Sequence, residues 1–191
     1  MDLIQKTMSR IYCTHRLQKF IGKVEQNLPI DLKESNFGDW NGNLFWINKR
    51  KYIVLTNNLT NYTIFLPKIL KKDLKNFNDI IEKRIRKQLI NDKIITENDN
   101  EFVNELVGEF TFYKTNNDRR ILGTMNDMIY NFKSNCLTKY RELTEMSIIY
   151  ENGIINTMPT MKPRDIKKRL SIPIENLKEL KNQCTAPVHR Q

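Results

Sequence analysis

The sequence predicts an α+β fold: an antiparallel sheet, built from an N-terminal strand and a three-stranded meander, packed by amphipathic helices and followed by a C-terminal helical arm. Three observations carry this. Segments 43–48, 51–56 and 61–66 are rich in aromatic and β-branched residues and are separated by turn-length gaps. Two longer stretches, around 73–93 and 123–142, repeat apolar residues every three to four positions. A length of 191 residues, 39% hydrophobic and 28% charged, suits a folded domain better than a disordered chain.

Taken in order, residues 9–14 read as a short strand and 16–25 as a helix, with Leu17, Phe20, Ile21 and Val24 on one face. Residues 28–39 carry Pro29 and Gly38 and read as loop. In the meander, apolar residues fall at adjacent positions (Phe45 with Trp46, Val54 with Leu55, Phe65 with Leu66), so both faces of the sheet are expected to be covered. Pro67 ends it. Asp73 then caps a helix whose buried stripe is Phe77, Ile81, Ile85 and Leu89. A second helix spans 98–107 and stops at Gly108. Residues 109–115 form a further candidate strand, and a turn at 116–118 leads into the amphipathic helix at 123–142. Residues 147–157 can continue as helix despite Gly153. Pro163 and Pro173 open two short helices, 164–170 and 174–183. A boundary near 145 divides a core domain, 1–145, from an arm, 146–191, that is too short to bury a core of its own.

Lys and Arg number 32 against 22 Asp and Glu, leaving a net charge of +10 and favouring a polyanionic or acidic partner. No apolar run approaches a membrane span, and no secretory leader is evident, so no membrane partner is expected. Cys13, Cys136 and Cys184 are odd in number and far apart, which fits a reducing cytoplasm. With His15 and His189, Cys13 and Cys184 make a composite zinc set, but neither spacing is a finger pattern. No glycine-rich phosphate loop, nucleophile elbow or metalloprotease motif is present, so no catalytic residue, cofactor or metal is assigned.

Two segments stand out as candidate sites. Trp40 to Trp46 leads through Lys49, Arg50 and Lys51 to Asn57. An aromatic beside a basic turn can stack a base while the cations neutralise phosphate, and the alternative is that Trp40, Phe45 and Trp46 are core. In the second, a polar turn feeds Arg119 and Arg120 into the start of a helix carrying Asn126 and Asp127. Two guanidinium groups there can clamp an anion, or Asn126 and Asp127 can serve capping while the arginines pair locally. The reading taken is that Trp40, Asn43, Asn57, Arg119, Arg120, Asn126 and Asp127 line one anion-receptive hollow. Lys49 to Lys51 and the cluster Lys167, Lys168 and Arg169 then supply contacts to nucleic acid.

The same segments carry a family resemblance. Trp40-x-x-Asn43-Leu-Phe, the Thr56-Asn57 pair, Leu74-Lys-Asn-Phe77 and Leu122-Gly123-x-Met125-Asn126-Asp127 together resemble an uncharacterised bacterial domain family, a domain of unknown function. Its relatives open with an Arg-Cys-Thr strand, similar to Tyr12-Cys13-Thr14 here apart from Tyr12, and commonly carry Lys at the position of His15. The resemblance covers roughly residues 9–135 and implies a small α+β domain with no established reaction. The function expected is a non-enzymatic binding module for nucleic acid or another polyanion. Two alternatives stay open. One is a protein-interaction or antitoxin-like regulatory component docking through the arm, with Ile166 and Leu170 or Leu177 and Leu180 as anchors. The other is a metal-dependent nuclease or phosphate-handling hydrolase built on Asp127 with Asp118 or Glu109.

Overall fold

The computed structural model describes residues 8–25, 36–161 and 170–185. The meander is present as β2 (Trp40–Ile47), β3 (Arg50–Asn57) and β4 (Thr63–Pro67), antiparallel throughout. β1 (Met8–Cys13) and β5 (Glu109–Lys114) complete a five-stranded sheet in the order β4-β3-β2-β1-β5. These two strands depart from the antiparallel expectation, because β1 runs parallel to both β2 and β5. The cause lies in the connections. α1 (His15–Ile21) lies between β1 and β2, and a crossover of that kind returns the chain in the same direction.

Strand alternation sorts two cores. Ile11, Cys13, Trp40, Leu44, Ile53, Leu55, Ile64 and Leu66 belong to the front layer, shared with α1, α2 (Phe77–Asn91), α3 (Asn100–Val107) and α6 (Pro173–Thr185). Phe45, Ile47, Tyr52, Val54 and Phe65 belong to the back layer under α4 (Arg119–Lys139) and α5 (Glu145–Thr157). Phe65 stacks on Phe132 of α4 with ring centroids 3.9 Å apart. Both faces are therefore covered. At Gly42 a side chain would bring its Cβ within 2.7 Å of Leu17, so the missing side chain is what lets α1 sit directly on β2.

Helix ends follow local chemistry. α1 stops at Ile21 because Gly22 adopts a left-handed φ of 93°, and Glu25, placed in the helix by its pattern, instead bridges to Tyr113 at the edge of β5. Asp73 does not start α2. Its carboxylate accepts the Leu70 amide at 2.8 Å within a 3-10 helix, Lys71–Asn76, that precedes it. α4 begins four residues before its expected start because Asp118 accepts the amides of Arg120 and Ile121 at 3.0 and 3.4 Å. α5 runs through Gly153, capped by Thr144.

The C-terminal elements lie across the rest of the molecule. Ile148 and Ile155 of α5 enter the back core, and Ile174 and Leu177 of α6 enter the front one. A small hairpin, β6 (Thr160–Met161) with β7 (Leu170–Ser171), is tied down by Asn61, which donates to Thr160 Oγ1 and the Met161 carbonyl at 3.0 and 2.8 Å. The helix expected at 164–170 falls almost wholly outside the described residues. Among the described residues no helix is long and apolar enough to cross a membrane.

Candidate functional site

The β2–β3 hairpin outruns the strand beside it. β1 ends at Cys13, level with Gly42, whereas β2 continues to Ile47, so the far end of the hairpin is no longer flanked by β1. Trp46 sits there and is 39% exposed, while Trp40, six residues earlier on the same face, is fully buried. Arg16 of α1 places its guanidinium 5.6 Å from the centroid of the Trp46 ring. Lys51, the cross-strand partner of Trp46, holds its Nζ 4.9 Å from the centroid of Phe20. On the reverse of the hairpin, Phe45 and Tyr52 pack at 5.5 Å under α4, which gives this end a rigid backing.

Pairing of Ile47 with Arg50 leaves a two-residue turn, Asn48–Lys49, and both residues are left-handed, with φ of 46° and 63°. Glycine is the usual second residue of such a turn; here a lysine occupies it and presents a cation at the tip. The Ile69 amide donates to the Lys51 carbonyl at 3.2 Å, which brings the following 3-10 helix alongside, and that helix also touches α1. Its Leu74 packs inward while Lys71, Lys72 and Lys75 stay exposed.

Arg16, Lys19, Lys49, Lys51, Lys71, Lys72 and Lys75 thus gather from three neighbouring elements. None of them makes an ion pair among the described residues. The acid within this group, Asp73, has its carboxylate engaged by the Leu70 amide. The surface combines an exposed indole with uncompensated positive charge, the two components that single-stranded polyanions of flat bases engage.

The residues expected to line one hollow are divided by the fold. Trp40 is core. Asn57 is buried and builds the β3–β4 turn: its Oδ1 accepts the amides of Leu59 and Thr60 at 3.0 and 3.1 Å, and its Nδ2 donates to the Phe37 carbonyl at 2.8 Å. Neither side chain is available to a ligand. Asn43 accepts from Thr14 Oγ1 at 2.8 Å and ties the end of β1 to the hairpin. Arg119 and Arg120 are exposed at the start of α4, and Asn126 and Asp127 are exposed further along it; capping falls to Asp118. The arginines make no ion pair among the described residues. Because α1 leaves β1 over the front of the sheet and α4 leaves β5 over the back, these arginines and Arg16 flank the same end of the sheet from opposite faces. Lys49 and Lys51 belong to the gathered surface, whereas Arg50, paired with Ile47, falls on the α4 side of the hairpin. Lys167, Lys168 and Arg169 lie outside the described residues, as does His189.

Among the described residues no three metal-binding side chains are brought together. Asp118 caps α4 and Asp127 lies nine residues on, about 13 Å along the axis, too far to share one ion. Cys13 is buried beneath α1, and burial pushes its thiol up to about 12. Of the arm residues considered as docking anchors, Leu177 is fully buried in the front core and Leu180 packs against it, while Leu170 is exposed.

Arg16, Lys19 and the lysines of the 3-10 helix are the site residues that sequence reasoning did not single out, whereas Trp46 belongs to the first candidate segment. A signal was present: Arg16 and Lys19 alternate with Leu17 and Phe20, which places them on the outer side of α1. No curated protein and no solved structure matches the chain. The model of a domain of unknown function, DUF6933, matches residues 10–176, a span that takes in the whole five-stranded sheet apart from the first residues of β1 and both groups of exposed cations, and the chain belongs to this family.

Proposed function

We propose that this chain is a non-enzymatic binding module for nucleic acid or another polyanion, acting through the basic surface around Trp46. The observation that carries the reading is the convergence of α1, the β2–β3 turn and the 3-10 helix on one surface whose cations have no carboxylate partner among the described residues. Cations held together in this way repel one another in the free protein. A polyanion relieves that repulsion and releases its own counterions on binding. The net charge of +10 adds long-range attraction. A bacterial cytoplasmic location belongs to the same reading, in keeping with the free thiols of Cys13, Cys136 and Cys184.

Fluorescence anisotropy with labelled mixed-sequence DNA and RNA tests it. Affinity should fall linearly in log–log form as salt rises from about 50 to 200 mM. Replacing Lys71, Lys72 and Lys75 together by Ala should lower the slope by about one for each phosphate that is no longer neutralised. Undetectable binding at about 50 mM salt overturns the proposal.

A further inference from the structure

The gathered cations alone would serve any polyanion; the indole in their midst narrows the ligand. Trp46 is a large aromatic with 39% of its surface in water, on a hairpin made rigid from behind by Phe45 and Tyr52. Arg16 stands over its ring, and Lys51 is its cross-strand neighbour. Exposing an indole gives up part of its hydrophobic stabilisation, and the exposed Arg16 contact returns only a small part of it. A base pair inside a duplex has both faces stacked already and cannot lie on this ring. An unpaired base can, with Arg16 and Lys51 positioned for the phosphates on either side of it.

We infer that the site takes single-stranded nucleic acid, with one base stacked on Trp46 and the flanking phosphates held by Arg16, Lys49 and Lys51. The inference rests on the polyanion reading above and makes it specific. Arg16 already occupies a cation–π position over the indole, so the platform is held in place before the ligand arrives.

The chain has two tryptophans, one buried and one exposed, so intrinsic fluorescence reads the site directly. The protein is titrated at about 50 mM salt with an oligothymidine of about 20 nucleotides, with a duplex of the same length and with heparin. The single strand should quench the emission, the quench should persist in Trp40→Phe, and it should vanish in Trp46→Phe. Trp46→Ala should weaken single-strand binding by roughly 5- to 150-fold, the range seen when a stacked base loses its platform, and leave duplex and heparin binding within about twofold. Because Trp46 is half out of the fold, the near-ultraviolet dichroism of Trp40 should be retained in the variant and serves as the folding control. If duplex or heparin binds as tightly as the single strand and Trp46→Ala leaves single-strand affinity unchanged, the stacking inference is overturned while the polyanion reading stands. If none of the three binds the wild-type chain, both are overturned.

Discussion

Asn156 closes both hydrogen-bonding groups of Thr63: its Oδ1 accepts the Thr63 amide at 2.9 Å and its Nδ2 donates to the Thr63 carbonyl at 3.0 Å. One helical turn earlier, Asn152 accepts the Phe65 amide at 3.0 Å and donates to the Thr63 carbonyl at 2.7 Å, and Arg84 Nε donates to the Phe65 carbonyl at 2.8 Å. Side chains of α5 and α2 thereby take the place of a sixth strand along the open edge of β4. At the opposite edge the backbone of Glu25 does the same for β5, donating to the Phe112 carbonyl at 2.7 Å and accepting from the Lys114 amide at 3.2 Å.

The first prediction follows from this sealing. Asn152→Ala with Asn156→Ala leaves buried amides and carbonyls of β4 without partners, each worth about 1–3 kcal/mol. The double variant should lower the urea midpoint strongly and, having an exposed strand edge, form soluble oligomers on size-exclusion chromatography with light scattering. A monomeric variant with unchanged midpoint would show that α5 holds β4 by its apolar contacts alone.

Much of this fold is legible in the chain, and the exceptions have physical causes. The meander reads clearly because its strands alternate with short turns. The asparagines of α5 do not, since a polar residue in a helix says nothing about what its amide will meet. Trp40 and Trp46 show the limit most sharply. A spacing of six puts both on one face of β2, and what buries one and exposes the other is that β1 stops at Cys13. That depends on parallel pairing of β1 with β5, whose register joins Cys13 to Lys114, a pairing with no local trace.

Gly153 gives a second prediction in which two effects oppose. Ala is favoured over Gly in a helix by about 1 kcal/mol. Yet a Cβ at 153 would lie 2.8 Å from Asp92 Oδ1 and 3.2 Å from Asn91 Nδ2. That carboxylate is held in a buried network, accepting from the Tyr62 hydroxyl and from Gln88 Nε2 at 2.8 Å. Burial and the neighbouring carboxylate push the Tyr62 hydroxyl well above its ordinary value, so it stays a donor. The clash should win, and Gly153→Ala should destabilise by about 1–3 kcal/mol in urea unfolding. A stabilised variant would mean that the α2–α5 packing yields easily.

The third concerns acid. Asp99 accepts the Thr96 amide at 2.7 Å and its hydroxyl at 2.9 Å and pairs with Lys181 of α6 at 3.2 Å. The Thr96 hydrogen bonds first, then Lys181, hold its carboxyl down from 3.8 to about 2. A carboxyl lowered on folding contributes stability that is complete above its unfolded value and disappears as the pH falls through its folded one. Asp99→Asn should therefore be less stable than wild type by a constant margin above about pH 5, and the two should converge near pH 2. A margin unchanged down to pH 2 would assign the effect to shape alone.

Lys49 joins backbone strain to the proposed binding surface in one residue. Its left-handed φ of 63° is a conformation that costs an L side chain about 1 kcal/mol and glycine almost nothing. The Asn48–Lys49 turn would close more easily with glycine second, yet glycine removes the cation at the tip. Lys49→Gly should raise the urea midpoint slightly while weakening oligonucleotide binding and reducing its salt slope by about one. Lys49→Ala keeps most of the strain and loses the same charge, so it should match glycine in binding while falling below it in stability. If Lys49→Gly gains stability and binds oligonucleotide with undiminished slope, the hairpin tip lies outside the interface and the strained lysine needs another explanation.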